Sequence, residues 1–195
     1  LYPFTWIMTG FARVIACLFG VAFHKNGVDV TEEEILSVVD EAHEQGVIEE
    51  NEAEMIQNII FFNETKAQDI MTHRSNVVAF ERNELMDDVI RTMVEEGNSR
   101  YPVYDDSLDN IIGIIHFKDV MQIATQNPEY GTRPLDEVPD LIRQASFIPE
   151  TRGIGVLIKS MQAKQIHLAV VVDEYGQTAG IVTMEAILEE IVGDI

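Results

Sequence analysis

Residues 100–120 read RYPVYDDSLDNIIGIIHFKDV, and residues 167–187, HLAVVVDEYGQTAGIVTMEAI, repeat this pattern without a gap. Alignment of the two copies places Gly113 on Gly180 and Ile114 on Ile181. Each copy predicts a strand, a polar turn, a second apolar strand and then a helix. An internal repeat of one supersecondary unit indicates two similar halves. The cleft between two such halves is a natural place for a small ligand.

The same alignment extends the repeat towards the N-terminus and places Phe80 on Phe147. Residues 77–80 predict a short strand, and residues 84–96, capped by Asn83, predict an amphipathic helix with Leu85 inward. Residues 105–110 predict the hairpin turn. We therefore predict an α/β (α+β) fold, a tandem pair of β-α-β-β-α repeats about a pseudo-two-fold axis, preceded by a helical connector.

The composition indicates a folded, acidic chain. It has 195 residues, 46% of them hydrophobic, and a net charge of −21. A strongly acidic surface repels a phosphate backbone, so nucleic acid is excluded as a partner. The single Cys17 excludes an internal disulfide. The sequence contains no nucleophile–base pair and no metal-ligand spacing, so we predict neither an enzyme nor a metal site.

The N-terminal residues 1–23 are almost continuously apolar, and their length is close to that of a membrane span. Arg13 lies in their middle, where a charge is costly in a bilayer. Three interpretations remain open: the end of a membrane domain, a helix lying in the membrane interface, or a buried core helix. Because the chain begins at Leu1 and ends on an apolar helical pattern, we expect it to be part of a longer protein.

Lys25-Asn26-Gly27 breaks the apolar pattern, and an acidic region follows. Thr31 and Glu34 form a capping box at the start of one helix. A second helix near 49–62 is predicted to turn four residues inward, namely Ala53, Ile56, Ile59 and Ile60. The predicted domains are an apolar segment at 1–27, the helical connector at 28–65, the first repeat unit at 66–125 and the second at 134–195.

The repeat resembles a pair of CBS domains, on the strength of the segments GIIHFKD at 113–119 and GIVTMEA at 180–186. More narrowly, the chain is similar to the CorC/HlyC group, which is haemolysin-like and related to the cyclin-M magnesium transporters. The narrower motifs are DIMT at 69–72, SRYPVY at 99–104, VDEYG at 172–176 and ILEEIVG at 187–193.

This resemblance implies magnesium or cobalt ion transport under the control of a bound adenine nucleotide, ATP or AMP, with or without Mg²⁺. It implies a transmembrane domain upstream, an accessory domain downstream and a homodimer formed through the CBS helices. It also implies a place at the cell membrane, with residues 28–195 on the cytoplasmic side.

The resemblance also implies nucleotide-binding residues. One cleft would use Thr72, Asn98, Ser99, Arg100, Tyr101, Pro102 and Thr183. The other would use Asp119, with His116 in the position of the threonine and with residues 148 and 166–169 completing it.

The first of these clefts lacks one expected residue. The aspartate that would bind the ribose, three residues after Thr183, is Ala186 here, and the adjacent Glu185 is expected to point elsewhere. Loss of one charge-assisted hydrogen bond weakens affinity roughly ten- to a hundredfold. Binding is therefore expected to be weak, or to use the cleft of Asp119.

Two functions remain open at this point. One is a nucleotide-sensing regulatory module, and the other is a structural dimerisation module with a degenerate nucleotide site, which Ala186 favours. For three of the predicted site residues, a purely structural role without ligand contact also remains open. Arg100 could pair with Asp105 or Asp106, His116 could be merely packed or solvated, and Thr72 could be a plain turn residue.

Overall fold

The computed structural model describes residues 31–193, so the predictions for residues 1–30 lie outside the described part of the chain. The described residues divide into two units, residues 31–41 and residues 42–193. Helix α1 (Glu32–Glu44) begins in the first unit, where the Glu34 N–H donates to Thr31 Oγ1 over 3.3 Å. Thr31 therefore caps α1 as predicted. Within residues 31–193, no helix has the length and apolar character needed to cross a membrane.

The second unit contains the repeat. Its helices are α2 (Glu50–Phe61), α3 (Ala67–Ile70), α4 (Met86–Glu96), α5 (Phe117–Gln126), α6 (Ile154–Lys164) and α7 (Met184–Val192). Its strands are β1 (Thr72–His73), β2 (Phe80–Glu81), β3 (Arg100–Asp105), β4 (Ser107–His116), β5 (Phe147–Pro149), β6 (Leu168–Val172) and β7 (Thr178–Thr183). Short 3₁₀ turns occupy Arg74–Asn76, Pro128–Tyr130 and Leu135–Glu137.

The strands form two sheets with the same internal arrangement. One has the order β2-β3-β4 and the other the order β1-β7-β6-β5. In the first sheet Phe80 lies opposite Val103 in a parallel pair, and in the second Phe147 lies opposite Val170. The second pair is the aligned counterpart of the first at both positions, so the predicted repeat and the α/β fold class are confirmed.

Each sheet also receives a segment that precedes the other copy of the repeat. Strand β1, ahead of the first copy, pairs antiparallel with β7 and places Thr72 opposite Ile181. Arg143, ahead of the second copy, pairs with Ile114 through backbone hydrogen bonds of 2.8 and 2.9 Å. This exchange ties the two halves of the repeat together.

The two repeated glycines make these close approaches possible. A Cβ on Gly180 would overlap the backbone oxygen of Thr72, and a Cβ on Gly113 would overlap that of Arg143. Gly113 and Gly180 lie in different sheets, but β4 and β7 pack on one another across a shared apolar core. That core includes Ile111, Ile114, Leu168, Val170 and Ile181.

Several local predictions are wrong. Helix α4 begins at Met86, and Leu85 at its N-cap is 41% exposed rather than inward. The strand predicted at 77–80 is confined to Phe80–Glu81. The hairpin turn is also shorter than residues 105–110, because Asp106 alone, with φ of +68°, separates β3 from β4.

Helix α2 turns a different face inward from the one predicted. Ala53 is buried, whereas Ile56 and Ile59 are 36% and 54% exposed. Asn58 Nδ2 donates to the backbone oxygen of Ile191, over 3.5 Å, so the packed face of α2 includes a polar residue. Apolar spacing alone therefore misassigned this face.

Candidate functional site

A cleft of about 540 Å³ opens between the two halves, and we call it the large cleft. It is lined by Thr72, Asn76, Val77, Val78, residues 96–101, His167, Leu168, Ile181, Thr183, Glu185, Ala186 and Glu189. Of the seven residues predicted for one nucleotide cleft, it brings together Thr72, Asn98, Ser99, Arg100, Tyr101 and Thr183. Pro102 is the exception, since it is buried in β3 opposite Ile114.

One wall of the large cleft is the segment that follows α3, and two kinds of contact hold it. Thr72 pairs with Ile181 of β7. Two residues farther on, Arg74 Nη1 donates to Asp109 Oδ1 over 2.9 Å, and the backbone N–H of Thr178 donates to the same oxygen over 3.1 Å. Thr72 is therefore a strand residue rather than a plain turn residue. The segment that forms this wall is held at Thr72 by strand pairing and at Arg74 by its ion pair.

The loop of residues 97–100 forms a second wall. Gly97 ends α4 with φ of +73°, a left-handed conformation that suits glycine. Tyr101 is 1% exposed; its hydroxyl accepts from the Asn98 N–H over 3.0 Å and donates to the Met93 oxygen over 3.3 Å. Burial raises the pKa of Tyr101, so this hydroxyl stays protonated and holds the loop in shape.

Thr183 lies at the N-terminus of α7. Its Oγ1 accepts from the Ala186 N–H over 3.1 Å, which leaves the hydroxyl hydrogen free to donate into the cleft. The expectation that Glu185 points elsewhere is wrong, because Glu185 lines the same cleft as Ala186. The helix start brings both side chains to this edge.

Arg100 contributes a guanidinium that lines the large cleft. Its Nη1 lies 3.9 Å from Glu185 Oε1, a loose ion pair. The alternative pairing of Arg100 with Asp105 or Asp106 is wrong: Asp105 instead lies 3.0 Å from Arg82 Nε. Arg100 therefore has N–H groups available to a ligand.

An adenine nucleotide fits the large cleft in some respects and not in others. The volume falls within the range of about 300–1,000 Å³ usual for small-molecule sites. Arg100 and Thr183 supply donors suited to phosphate. Against this, three carboxylates line the cleft, on Glu96, Glu185 and Glu189, and Ala186 offers no acceptor to a ribose. A polyphosphate in this cleft would need a cation to offset the repulsion.

A second cavity, of about 190 Å³, is the small cleft. It is lined by Arg100, Ile114, His116, Arg143, Gln144, Ser146 and residues 165–168. Of the residues predicted for the other nucleotide cleft, His116 and residues 166–168 meet here. Residues 148 and 169 instead line a third cavity of about 160 Å³.

Asp119 does not line the small cleft and is already engaged. Its Oδ2 is buried without a hydrogen bond in the described part of the chain, and it lies 2.5 Å from Arg143 Nη2 in an ion pair. Burial, together with the charges of Arg100 and Arg143, lowers the pKa of His116. His116 is therefore an uncharged imidazole at neutral pH.

Sequence reasoning missed Arg143. The alignment of the two copies, carried back to Thr72, leads to Pro139, whereas strand pairing makes Arg143 the counterpart of Thr72. Within residues 31–193, no group of three or more His, Cys, Asp or Glu side chains is placed to hold a metal ion.

Two family models match the chain. The CBS domain matches residues 67–125 and 137–193, and the cyclin M transmembrane N-terminal domain matches residues 1–52. The magnesium and cobalt efflux protein CorC of Pasteurella multocida (strain Pm70) is 36% identical over 178 residues, 91% of this chain and 57% of that protein. The UPF0053 protein YrkA of Bacillus subtilis (strain 168) is 34% identical, over 100% of this chain and 45% of its own length. The chain thus spans about half the length of these relatives.

A solved CBS domain of a bacterial CNNM/CorC family Mg²⁺ transporter is 37% identical, with a TM-score of 0.74 over 85% of this chain and 98% of that one. The names of CorC and of the CNNM/CorC family structure describe ion transport, whereas the name of YrkA describes no activity. The chain therefore belongs to the CNNM/CorC family, of which it carries the CBS-domain pair.

Proposed function

We propose that this CBS pair regulates a membrane transporter of magnesium or cobalt by binding an adenine nucleotide in the large cleft. The observation that carries the proposal is the convergence of Thr72, residues 98–100 and Thr183 from both halves on one cavity. A ligand that bridges two halves favours one arrangement of them, which is how occupancy acts at a distance.

A solved CBS domain of a CNNM/CorC family Mg²⁺ transporter in complex with ATP supports the choice of ligand. It is 36% identical, with a TM-score of 0.67 over 74% of this chain and 99% of that one. In this chain, we propose that Arg100 and Thr183 bind the phosphates. Because Glu96, Glu185 and Glu189 face the same space, the magnesium complex of ATP binds more tightly than free ATP.

Calorimetric titration of the full chain in a mild non-ionic detergent, with ATP and with AMP, tests this proposal. We expect weak binding of ATP that Mg²⁺ strengthens and that Thr183→Val reduces. Asp119→Ala alters the counterpart of Ala186 in the other half and serves as the control. Binding that is lost in Asp119→Ala and kept in Thr183→Val would contradict the assignment to the large cleft.

We also propose that the pair forms a homodimer through its helices. Met121 on α5 and Leu188 on α7 are aligned by the repeat, so they occupy equivalent positions in the two halves. They are 37% and 42% exposed, and both are apolar. Val156 on α6 adds another exposed apolar residue, at 58%. Exposed apolar residues at equivalent positions are typical of a surface that another protein covers.

Sedimentation velocity tests the dimer. We expect the wild type to sediment as a dimer and the double variant Met121→Lys, Leu188→Lys to sediment as a monomer. Tyr175→Lys changes a residue that is 80% exposed in the β6–β7 turn, away from the helices, and should leave the dimer intact. A dimer that survives the double variant would contradict this surface.

The alternative function is structural dimerisation without a bound nucleotide. If ATP, AMP and their magnesium complexes all fail to bind while the dimer forms, the pair is a structural dimerisation module. Ala186, which leaves the ribose without a carboxylate, is the feature that favours that outcome.

We propose further that the connector and the repeat lie on the cytoplasmic side of the cell membrane. A membrane domain, formed in part by residues 1–27, precedes them, and an accessory domain follows them. The support for this placement is the match of residues 1–52 to a transmembrane-domain family and the partial coverage of the relatives.

A further inference from the structure

The small cleft carries an excess of hydrogen-bond donors. Six of its lining side chains bear N–H groups and, apart from the ion pair of Arg143 with Asp119, none of these groups is engaged in a hydrogen bond within residues 31–193. They are Arg100, His116, Arg143, Gln144, Gln165 and His167. Side chains that converge with unused donors are complementary to a ligand that accepts hydrogen bonds on several sides.

The small cleft also differs in charge from the large one. Among the residues that the structure describes, no carboxylate lines it, although the chain as a whole carries a net charge of −21. Asp119, which does not line the small cleft, forms an ion pair with Arg143 in which Nη2 lies 2.5 Å from Oδ2. A guanidinium has five N–H donors, so most of those of Arg143 remain free. In the described part of the chain, the one ion pair of Arg100 is the loose contact of 3.9 Å with Glu185.

The volume of about 190 Å³ limits what can enter. It lies below the range of about 300–1,000 Å³ typical of sites for drug-sized ligands, so a whole nucleotide does not fit. A tetrahedral oxyanion with one or two waters does fit, since a water occupies about 30 Å³. Guanidinium groups match such oxyanions in geometry and in charge.

We propose that the small cleft is a site for a phosphate-type oxyanion, bound between Arg100 and Arg143. The oxyanion has two possible sources, inorganic phosphate and the terminal phosphates of a nucleotide in the large cleft. The second source exists because Arg100, His167 and Leu168 line both clefts. Only this second source depends on the proposed nucleotide function.

Arg100 is the link between the two clefts. An oxyanion in the small cleft draws the guanidinium away from Glu185 and from the large cleft. Free phosphate and ATP therefore compete for Arg100 even though most of their contacts are separate. This competition is a property that neither cleft has alone.

The test is a titration of the full chain, in a mild non-ionic detergent, with sodium sulfate and with sodium phosphate, followed by calorimetry. We expect millimolar binding of both anions that Arg100→Met weakens about tenfold or more, as for loss of a charge-assisted bond. The paired variant Arg143→Met, Asp119→Asn removes the second guanidinium without leaving a buried charge and should weaken binding similarly. Lys118→Met removes an exposed cation that lines neither cleft and should change nothing.

Titrations with ATP and with adenosine in the presence of sulfate separate the two sources of the oxyanion. Sulfate that lowers the apparent ATP affinity without limit as its concentration rises, but leaves adenosine affinity unchanged, indicates that the terminal phosphates reach the small cleft. Sulfate that lowers the ATP affinity only to a limiting value, because both ligands bind together and share only Arg100, indicates a site for the free anion. Anion binding that resists both variant sets, or the absence of binding by sulfate, phosphate and ATP phosphates alike, would overturn the proposal.

Acidification supplies an independent readout. Sulfate keeps its charge between pH 5.5 and 7.5, whereas His116 gains a proton as the pH falls. The groups acting on His116 are Arg100, Arg143, Asp119 and His167. Sulfate should therefore bind more tightly at pH 5.5 than at pH 7.5, and His116→Gln should reduce that difference. An unchanged pH dependence in His116→Gln would contradict a place for His116 beside the anion.

Discussion

The two clefts of this protein occupy equivalent places in the two halves, yet they offer a ligand different chemistry. Thr183, Ala186 and Thr72 of the large cleft correspond to His116, Asp119 and Arg143 around the small one. The large cleft lacks the acid that would bind a ribose, whereas the counterpart acid of the other half, Asp119, does not line the small cleft and forms an ion pair with Arg143. The two halves share one arrangement of strands, and differences at single side chains give the two sites different chemistry.

The largest expected effect is on stability, at the two glycines where the segments around Thr72 and Arg143 closely approach strands β7 and β4. Gly180→Ala should lower the free energy of unfolding by about 3 kcal/mol, because its methyl group would overlap the backbone oxygen of Thr72. Gly113→Ala should cost a similar amount through the oxygen of Arg143. Urea unfolding measures both values.

Gly153→Ala is the control for these substitutions, since a Cβ there would meet nothing within 4 Å. It should change stability by about 1 kcal/mol or less, the cost of a poorer N-cap. If Gly180→Ala proved as mild as Gly153→Ala, the two halves would not be joined by the described pairing.

The second prediction restores the missing acid to the large cleft. Ala186→Asp should strengthen ATP binding by about tenfold or more, roughly 2 kcal/mol, by supplying a charge-assisted acceptor for the ribose. The position tolerates aspartate because it lies in the first turn of α7, where a negative charge is favourable. Ala186→Asn has nearly the same shape without the charge and should give a much smaller gain in calorimetry. Equal gains from both variants would contradict a role for the charge.

The third prediction tests the ion pair that distinguishes the small cleft. Arg143→Ala should destabilise the protein by about 1–2 kcal/mol, because it leaves the buried Oδ2 of Asp119 without a counter-charge. Asp119→Ala should cost less, since the side chain of Arg143 is 57% exposed and can be solvated. Thermal and urea unfolding compare the two. Adding Asp119→Asn to Arg143→Ala should recover part of the loss, and a greater cost for Asp119→Ala than for Arg143→Ala would reverse the argument.

The smallest expected effect is the pH dependence of stability that His116 in the small cleft contributes. The pKa of His116 is lowered from its ordinary value of 6.5 in the folded protein. The unfolded chain therefore binds the proton more readily, and stability falls as the pH drops below about 6.5. His116→Gln should remove this part of the acid sensitivity in melting curves at pH 5.5 and 7.5. His43→Gln, on an exposed part of α1, should leave the sensitivity as in the wild type.

Much of the architecture followed from the internal repeat. Strands β3, β4, β6 and β7 and the helices after each hairpin lie where the alternating apolar runs and Gly113 and Gly180 predicted them. Such patterns are local, because burial of one strand face imposes its own period on the sequence.

Side-chain partners between distant segments were decided by the tertiary structure alone. The pairing of Arg143 with Asp119 and the approach of Glu185 to Arg100 join residues that no local period connects. The linker before the second copy changes the spacing between the copies, so Thr72 corresponds to Arg143 and not to Pro139. The sequence thus determined two similar halves, because turns and apolar periods are local properties, and the family resemblance implied six of the residues that line the large cleft. Which charges meet across the halves depends on where the exchanged segments cross, and only packing determines that.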